Sequence, residues 1–363
     1  MLERLGIHDF RNLAQVELVP APGMSLIWGA NGSGKTSLLE AVHYLATGRS
    51  FRTHLIEPLI RHGQSRFVLR AELALPSGQR HRLGIERGRR RVRRRLDGVD
   101  QRSQIPLSRL FPVLAIHPDT HLLVSGPPSL RRRFMDWGCF HLDPGFSDNW
   151  SRFVRLARHR SELLRRQAAT SEIRAIDQAM LPLAVTLDQA RSEFLARFQP
   201  VWRALLQALF HEHSIVPRIE YLRGWGEALG YDESLSLNLA RDRRHGRTST
   251  GPHRASFHLL IDDMPASRVL SRGQQKLLSL SLALAQAQLL QSSRALSPLI
   301  LIDDLASELD RPHIERVTRY LSSASWQVIL TAVEPSFFVE HGVQVERMFH
   351  VKHGVVEEGD IMS

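Results

Sequence analysis

The chain has 363 residues, 43% of them hydrophobic, enough for one large domain or two ordinary ones around a real core. Its best apolar run, Leu299 to Ile302, is far short of the about eighteen residues of a membrane helix, and Cys139 is the only cysteine; membrane spans, internal disulfides and thiolate-cluster zinc sites are therefore excluded. Net charge is +11, with Arg far outnumbering Lys, which favours a polyanionic partner, nucleic acid first; the cysteine usage and the lack of a leader-like start predict a reducing cytoplasm.

In chain order, Ser25 to Trp28 reads as a buried strand. It runs into Gly29-Ala30-Asn31-Gly32-Ser33-Gly34-Lys35-Thr36, which fits the phosphate-binding pattern G-x-x-x-x-G-K-[ST]. Glycines let backbone N–H groups curl around a polyphosphate. Lys35 supplies a charge for the β- and γ-phosphates, and the Thr36 hydroxyl can hold Mg²⁺. Ser37 to Leu45 reads as the helix leaving the loop, with its N-terminus toward the phosphates. These features predict nucleoside triphosphate binding at Gly29 to Ser37.

Residues 1 to about 125 are otherwise strand-rich, with turns at Pro76-Ser77-Gly78, Arg87-Gly88 and Asp97-Gly98. The run from Arg87 to Arg95 sits where a hairpin is expected. It suits a solvated hairpin and a phosphate-contacting edge equally. After Gly126-Pro127-Pro128 the character turns helical. Trp150 to Gln167 has helical spacing of apolar residues. Beyond a break at Ala168 to Ser171, Ile176, Met180, Leu183, Leu187, Ala190 and Phe194 form a coiled-coil-like seam. Pro182 and Pro200 predict kinks there. The two helices are expected to pack as a short antiparallel pair.

Strand character returns at Ser256 to Asp262. Leu270 to Lys276 then opens a long helix over Gly273 to Ser292, and Ser271, Arg272, Gly273 and Gln274 resemble the ABC-type signature L-S-x-G-Q. A Ser hydroxyl, a Gly N–H and a helix N-terminus together suit an anion. Pro298 to Asp303 reads as a buried strand ending in two carboxylates. Asp303 is placed to hold Mg²⁺ as a Walker B acid does, and Asp304 to orient or deprotonate the attacking water. Ser307-Glu308-Leu309-Asp310 follows as a D-loop-like segment. Arg311 to Ser323 reads as a helix, Trp326 to Thr331 as a strand, and the end as a hairpin around His353-Gly354. Lys35, Asp303 and Asp304 are the expected catalytic residues, Thr36 and Asp303 the expected Mg²⁺ ligands, and Ser307 and Asp310 the D-loop residues. In this class the signature completes the nucleotide site of the opposite subunit, so ATP binding implies dimerisation.

Along nearly its whole length the chain resembles the bacterial RecF family of recombination-repair proteins. Phe10-Arg11-Asn12 matches its F-R-N, and Gly48-Arg49-Ser50-Phe51-Arg52 follows the loop helix as in that family. Gly126 to His141 resembles its G-x-P-x-x-R-R-x-F-x-D block, Gly251-Pro252-His253-Arg254 its G-P-H-[RK], and Asp303 to Asp310 its Walker B and D-loop. Ile116-His117-Pro118-Asp119 stands at the Q-loop position. The resemblance implies an α/β fold: an ABC-type P-loop ATPase head, split over residues 1–125 and 250–363, with a helical insert over 126–249. It also implies ATP and Mg²⁺ as cofactors, an ATP-dependent homodimer, and weak ATPase activity stimulated by DNA. It further implies binding to single- and double-stranded DNA at gaps and junctions, recombinase loading, and RecO and RecR as partners.

Two other readings compete. ABC transporter subunits usually carry a histidine after the strand that here ends Thr331-Ala332-Val333, and none is present. SMC-type chromosome proteins have far longer coiled coils than this insert allows. His211-Glu212-His213, and His117 with His121, have metal-like spacing without a convincing further ligand. Arg131, Arg132 and Arg133 are expected near the nucleotide or a DNA surface.

Overall fold

The computed structural model describes residues 1–210, 216–294, 296–305, 309–336, 338 and 343–359. The chain divides into two compact units, one of Met1–Thr120 with Lys276–Ser363 and one of His121–Gln275.

The first unit opens with β1 (Leu2–Phe10), β2 (Leu13–Leu18), β3 (Met24–Trp28) and helix α1 (Lys35–Thr47). Then come β4 (Arg66–Ala74), β5 (Arg80–Gly88), β6 (Val92–Leu96), β7 (Val99–Asp100), α2 (Ile105–Leu110) and β8 (Val113–Ile116). The second unit holds α3 (Leu122–Ser125), α4 (Pro128–Leu142), α5 (Phe146–Arg165), α6 (Thr170–Leu209), β9 (Arg218–Leu222), α7 (Tyr231–His245), β10 (Ser256–Ile261), β11 (Met264–Pro265) and α8 (Ala266–Val269). Helix α9 (Arg272–Arg294) leads back to the first unit, which ends with β12 (Leu299–Ile302), α10 (Arg311–Ser323), β13 (Val328–Ala332), β14 (Arg347–Lys352) and β15 (Val355–Gly359).

Two six-stranded sheets build the first unit, in orders β2-β1-β4-β5-β6-β7 and β15-β14-β3-β13-β12-β8. The first is antiparallel, and β4 shows why: Phe67, Leu69, Ala71 and Leu73 alternate inward while their neighbours face out. The second is parallel from β14 through β8. Its central strands β12 and β13 are buried at every position, as a parallel sheet covered on both faces requires. Leu38, Leu39, Val42 and Leu45 of α1 share one core with Leu5, Ile7 and Leu69 of the first sheet and Leu301 and Ile329 of the second. That core fixes the loop between β3 and α1 at the C-terminal ends of the parallel strands.

In the second unit β10 pairs with β9 from Ser256↔Leu222 to Leu260↔Arg218. This pairing draws residues 250–275, expected with the head, into the second unit. Phe134, Phe198 and Phe257 meet edge-on, with centroids 5.4 and 5.8 Å from Phe134. Helices α5 and α6 are joined by a tight stop: Gln167 adopts φ 54°, and the Gln167 and Ala168 N–H groups donate to the Leu164 and Leu163 carbonyls at 3.2 and 3.0 Å. The expected break at Ala168 to Ser171 thus closes by Thr170, where α6 begins.

Helix α6 runs unbroken for 40 residues through Pro182 and Pro200. Each proline costs about 3 kcal/mol in an isolated helix. Burial of Met180, Leu183, Leu187, Phe194, Phe198 and Trp202 along one face offsets that cost.

Candidate functional site

The turn between β1 and β2 has only two residues, Arg11 and Asn12, with Phe10 paired to Leu13. Phe10 is fully buried and meets Phe67 edge-on at 5.0 Å. Arg11 adopts φ 57°, and its guanidinium forms a fork on Glu40, with Nε–Oε2 and Nη2–Oε1 both 2.7 Å. The Ser50 hydroxyl also donates to Glu40, and Arg52 lies 3.9 Å from it. Glu40 is wholly buried in α1. F-R-N and G-R-S-F-R, far apart in sequence, therefore meet on a single carboxylate.

Asn12 turns the other way. Its Nδ2 donates to the Ser33 carbonyl at 3.0 Å, and its Oδ1 accepts from the Ser37 hydroxyl at 2.9 Å. The Gly354 N–H donates to the same Ser33 carbonyl at 2.8 Å. Gly354 has φ 80°, and a Cβ there would lie 2.4 Å from the Asn12 carbonyl oxygen. The end of the chain thus clamps the phosphate loop from one side and the β1–β2 turn from the other. Upstream of the loop, Trp28 stacks on His350 with centroids 3.9 Å apart.

Within the loop, Gly34 sits at φ 126° immediately before α1, a conformation that excludes a side chain. Lys35 is buried, and its Nζ donates to the Gly29 and Ala30 carbonyls at 2.6 and 3.1 Å. Burial draws its pKa down, while Asp304 and Asp303 push it up. The Ser33 hydroxyl is buried without a partner among the described residues. Such an orphan donor suits a polyphosphate, whose oxygens are strong acceptors.

The Thr36 hydroxyl donates to the Asp303 carboxylate at 2.9 and 3.0 Å, across 267 positions of sequence. Thr331 of β13, the strand between β3 and β12, donates to Asp303 at 2.8 Å and accepts from the Asp304 N–H at 2.9 Å. Asp303 is 8% exposed, and its N–H donates to the Ile116 carbonyl. Asp304 adopts φ 54°, in the left-handed region that aspartate tolerates. One hydroxyl and one carboxylate beside a phosphate loop are hard oxygen ligands of the type Mg²⁺ takes.

A cleft of about 990 Å³ opens beside the start of α1, lined among others by Arg11, Asn12, Ser37, Arg61, His62 and Arg89. On the Q-loop side, Phe51 stacks on His117 at 4.8 Å and meets His43 edge-on at 5.4 Å. His43 is held near pKa 4 by burial.

Ser271, Arg272 and Gly273 are exposed at the head of α9. Ser271 and Gln274 cap it reciprocally: the Ser271 N–H donates to Gln274 Oε1 at 2.9 Å and the Gln274 N–H to Ser271 Oγ at 3.3 Å. Asp310 caps α10, accepting from the His313 N–H at 3.1 Å. Ser307 and Glu308, like His211, Glu212 and His213, lie outside the described residues. Among the described residues no cluster of His, Cys, Asp and Glu could hold a metal, and no helix is long and apolar enough to cross a membrane.

Arg131 and Arg132 are half-buried and Arg133 is exposed. Arg131 donates to the Gly126 carbonyl at 3.0 Å and Arg132 to the Ala255 carbonyl at 2.8 Å. Buried Arg191 bridges Asp136 at 2.7 Å and the Pro252 carbonyl at 2.7 Å, so the R-R-x-F-x-D and G-P-H-R blocks also meet.

Sequence reading missed the roles of Glu40, Thr331 and Gly354. Arg11 and Asn12 stand out in sequence only as part of F-R-N.

A phosphate loop after one parallel strand and paired carboxylates after another define the class as P-loop ATPase heads of ABC type. The family model described as the RecF/RecN/SMC N terminal domain matches residues 1–357. The DNA replication and repair protein RecF of Thioalkalivibrio sulfidiphilus is 38% identical over 99% of this chain and 100% of its own length. That of Shewanella baltica (strain OS155) is 36% identical, with 98% of each chain covered. A solved structure of the recombination mediator protein RecF–ATP in the RecFOR pathway superposes with TM-score 0.88 at 22% identity, covering 99% of this chain and 97% of its own. An Smc head bound to the C-winged helix domain of ScpA gives a TM-score of 0.59 at 14% identity, covering 99% of this chain and 96% of its own. The chain belongs to the RecF/RecN/SMC family and, within it, to the RecF proteins.

Proposed function

We propose that the chain is a recombination-repair ATPase that closes as a homodimer around ATP on DNA. Gly29, Ala30, Asn31, Gly32, Ser33, Gly34, Lys35, Thr36 and Ser37 receive the phosphates. Thr36 and Asp303 hold Mg²⁺, which when bound neutralises charge on the β- and γ-phosphates. Asp304 orients the attacking water. The Thr36–Asp303 hydrogen bond carries this reading, because it joins the phosphate loop to the strand-end acids directly.

Ser271, Arg272, Gly273 and Gln274 of one copy complete the site of the other. The exposure of Ser271, Arg272 and Gly273 supports this, as does the open space around Gly273, where an added Cβ meets nothing within 4 Å. Ser307 and Asp310 act at the same junction. ATP holds the dimer together and slow hydrolysis releases it. The names of the relatives support a role in DNA repair and replication, and the RecFOR context of the solved structures supports RecO and RecR as partners. The DNA is single- and double-stranded, at gaps and junctions where recombinase is loaded, in the cytoplasm.

ATP turnover measured with and without gapped DNA, for wild type and Asp304→Asn, tests the reading. DNA-stimulated turnover that the variant loses is the expected result. Equal turnover in all four reactions overturns it.

A further inference from the structure

The run from Arg87 to Arg95 has seven arginines in nine residues and no acid. The structure divides this run in two. On the strand side of the β5–β6 hairpin three of the four arginines have partners. Arg93 and Arg95 share Asp100, at 3.0 and 2.9 Å, and Arg94 donates to Gln104 at 3.1 Å. Arg87 is half-buried. The tip differs. Gly88 to Arg91 form a closed turn, with the Gly88 N–H donating to the Arg91 carbonyl at 2.9 Å. Arg89, Arg90 and Arg91 are exposed there and make no side-chain hydrogen bond or ion pair among the described residues.

The segment before β4 brings Glu57, His62 and Arg61, the last paired with Asp9 at 3.6 Å, to the cleft that Arg89 also lines. Glu86, at the end of the strand leading into the turn, is already taken by Arg66 at 2.8 Å. Three adjacent guanidiniums on a rigid turn cost self-repulsion that a solvated hairpin does not need. A polyanion relieves it, releasing counterions as it binds. No aromatic side chain lies in the turn, so stacking on bases is not provided for. The contact is to the sugar–phosphate backbone and independent of sequence.

We propose that Arg89, Arg90 and Arg91 form a phosphate-backbone contact for duplex DNA, distinct from the site of ATP. The proposal rests on the DNA-binding reading above and names a surface for it. Arg89 lines the same cleft as Asn12 and Ser37, so the DNA-bound turn shares that cleft with residues that clamp the phosphate loop.

The test is the salt dependence of binding to a duplex oligonucleotide by the full chain with ATP. Each lost phosphate contact lowers the slope of log K against log salt by about 0.9. The triple substitution Arg89→Gln, Arg90→Gln, Arg91→Gln is expected to lower it by about 2.7, three contacts at about 0.9 each. The matching Lys triple keeps the wild-type slope. Arg90→Gln alone, expected to lower it by about 0.9, keeps the test open if the triple variant unfolds. A wild-type slope in the Gln variants overturns the hairpin assignment while leaving DNA binding intact. A wild type that binds no DNA overturns the DNA-binding reading itself.

Discussion

Arg11 and Glu40 face each other as a planar fork, two hydrogen bonds of 2.7 Å between a hairpin turn and the helix that leaves the phosphate loop. Glu40 has no exposure, and Arg11 is the cation in direct hydrogen-bond contact with it, Arg52 standing 3.9 Å away. Removing one member of such a pair costs about 3–5 kcal/mol, whereas replacing both by apolar groups costs far less. Arg11→Met is therefore expected to lower stability by about 3 kcal/mol in urea unfolding. The double variant Arg11→Met, Glu40→Leu should recover most of the loss. Equal loss in the two variants would show that the fork does not act as a pair.

Thr331 is the second unheralded residue. Its hydroxyl donates to Asp303 and accepts from the Asp304 backbone. Thr331→Val keeps the shape and leaves a buried carboxylate and a backbone donor short of a partner. The cost of about 1–3 kcal/mol falls on the two acids. Turnover is expected to drop about 10- to 100-fold, with the KM for ATP within about 3-fold of wild type. A change in KM alone would place Thr331 in phosphate binding instead.

Gly354 is predicted to act on affinity. Gly354→Ala strains a φ of 80° and drives a methyl group to 2.4 Å from the Asn12 carbonyl oxygen. The clamp on Ser33 then shifts, and ATP affinity should fall by about 10-fold for a strain of about 1–2 kcal/mol. Isothermal titration with a non-hydrolysed analogue measures this directly. Unchanged affinity would mean that the terminal hairpin does not position the loop.

Two histidines set a pH dependence. Burial lowers His43 from 6.5 to about 4, and His253 likewise. Between pH 6.5 and 4 the unfolded chain binds more protons than the folded one, so stability rises with pH in that window. It is fully present above 6.5 and is lost as pH falls toward 4. Thermal midpoints at pH 7.5 and 5.5 should therefore differ, and His43→Gln should reduce the difference. An unaltered difference would assign the acid sensitivity to other groups.

The local elements of the site were legible in sequence. The phosphate loop, the buried strand ending in Asp303 and the helix Arg311–Ser323 all stand where their residues predicted. The supports were not legible, because each acts between segments remote in the chain. Thr36 and Asp303 are 267 positions apart, and Asn12 reaches Ser33 and Ser37 from another strand turn. Pro182 and Pro200, read as interruptions, lie inside one helix whose tertiary burial outweighs their local cost. Residues 250–275 were drawn away from the head by β9, a strand whose five residues carry little pattern of their own.

The central claim is that ATP joins two copies through Ser271. Sedimentation of Asp304→Asn with saturating ATP measures it most directly, because slowed hydrolysis keeps the nucleotide bound. The mass should rise from one chain of 41.3 kDa to two. Asp304→Asn combined with Lys35→Met, or with Ser271→Arg, should remain at one. A single-chain mass for Asp304→Asn with ATP, or an undiminished dimer in the Ser271→Arg combination, would contradict the account.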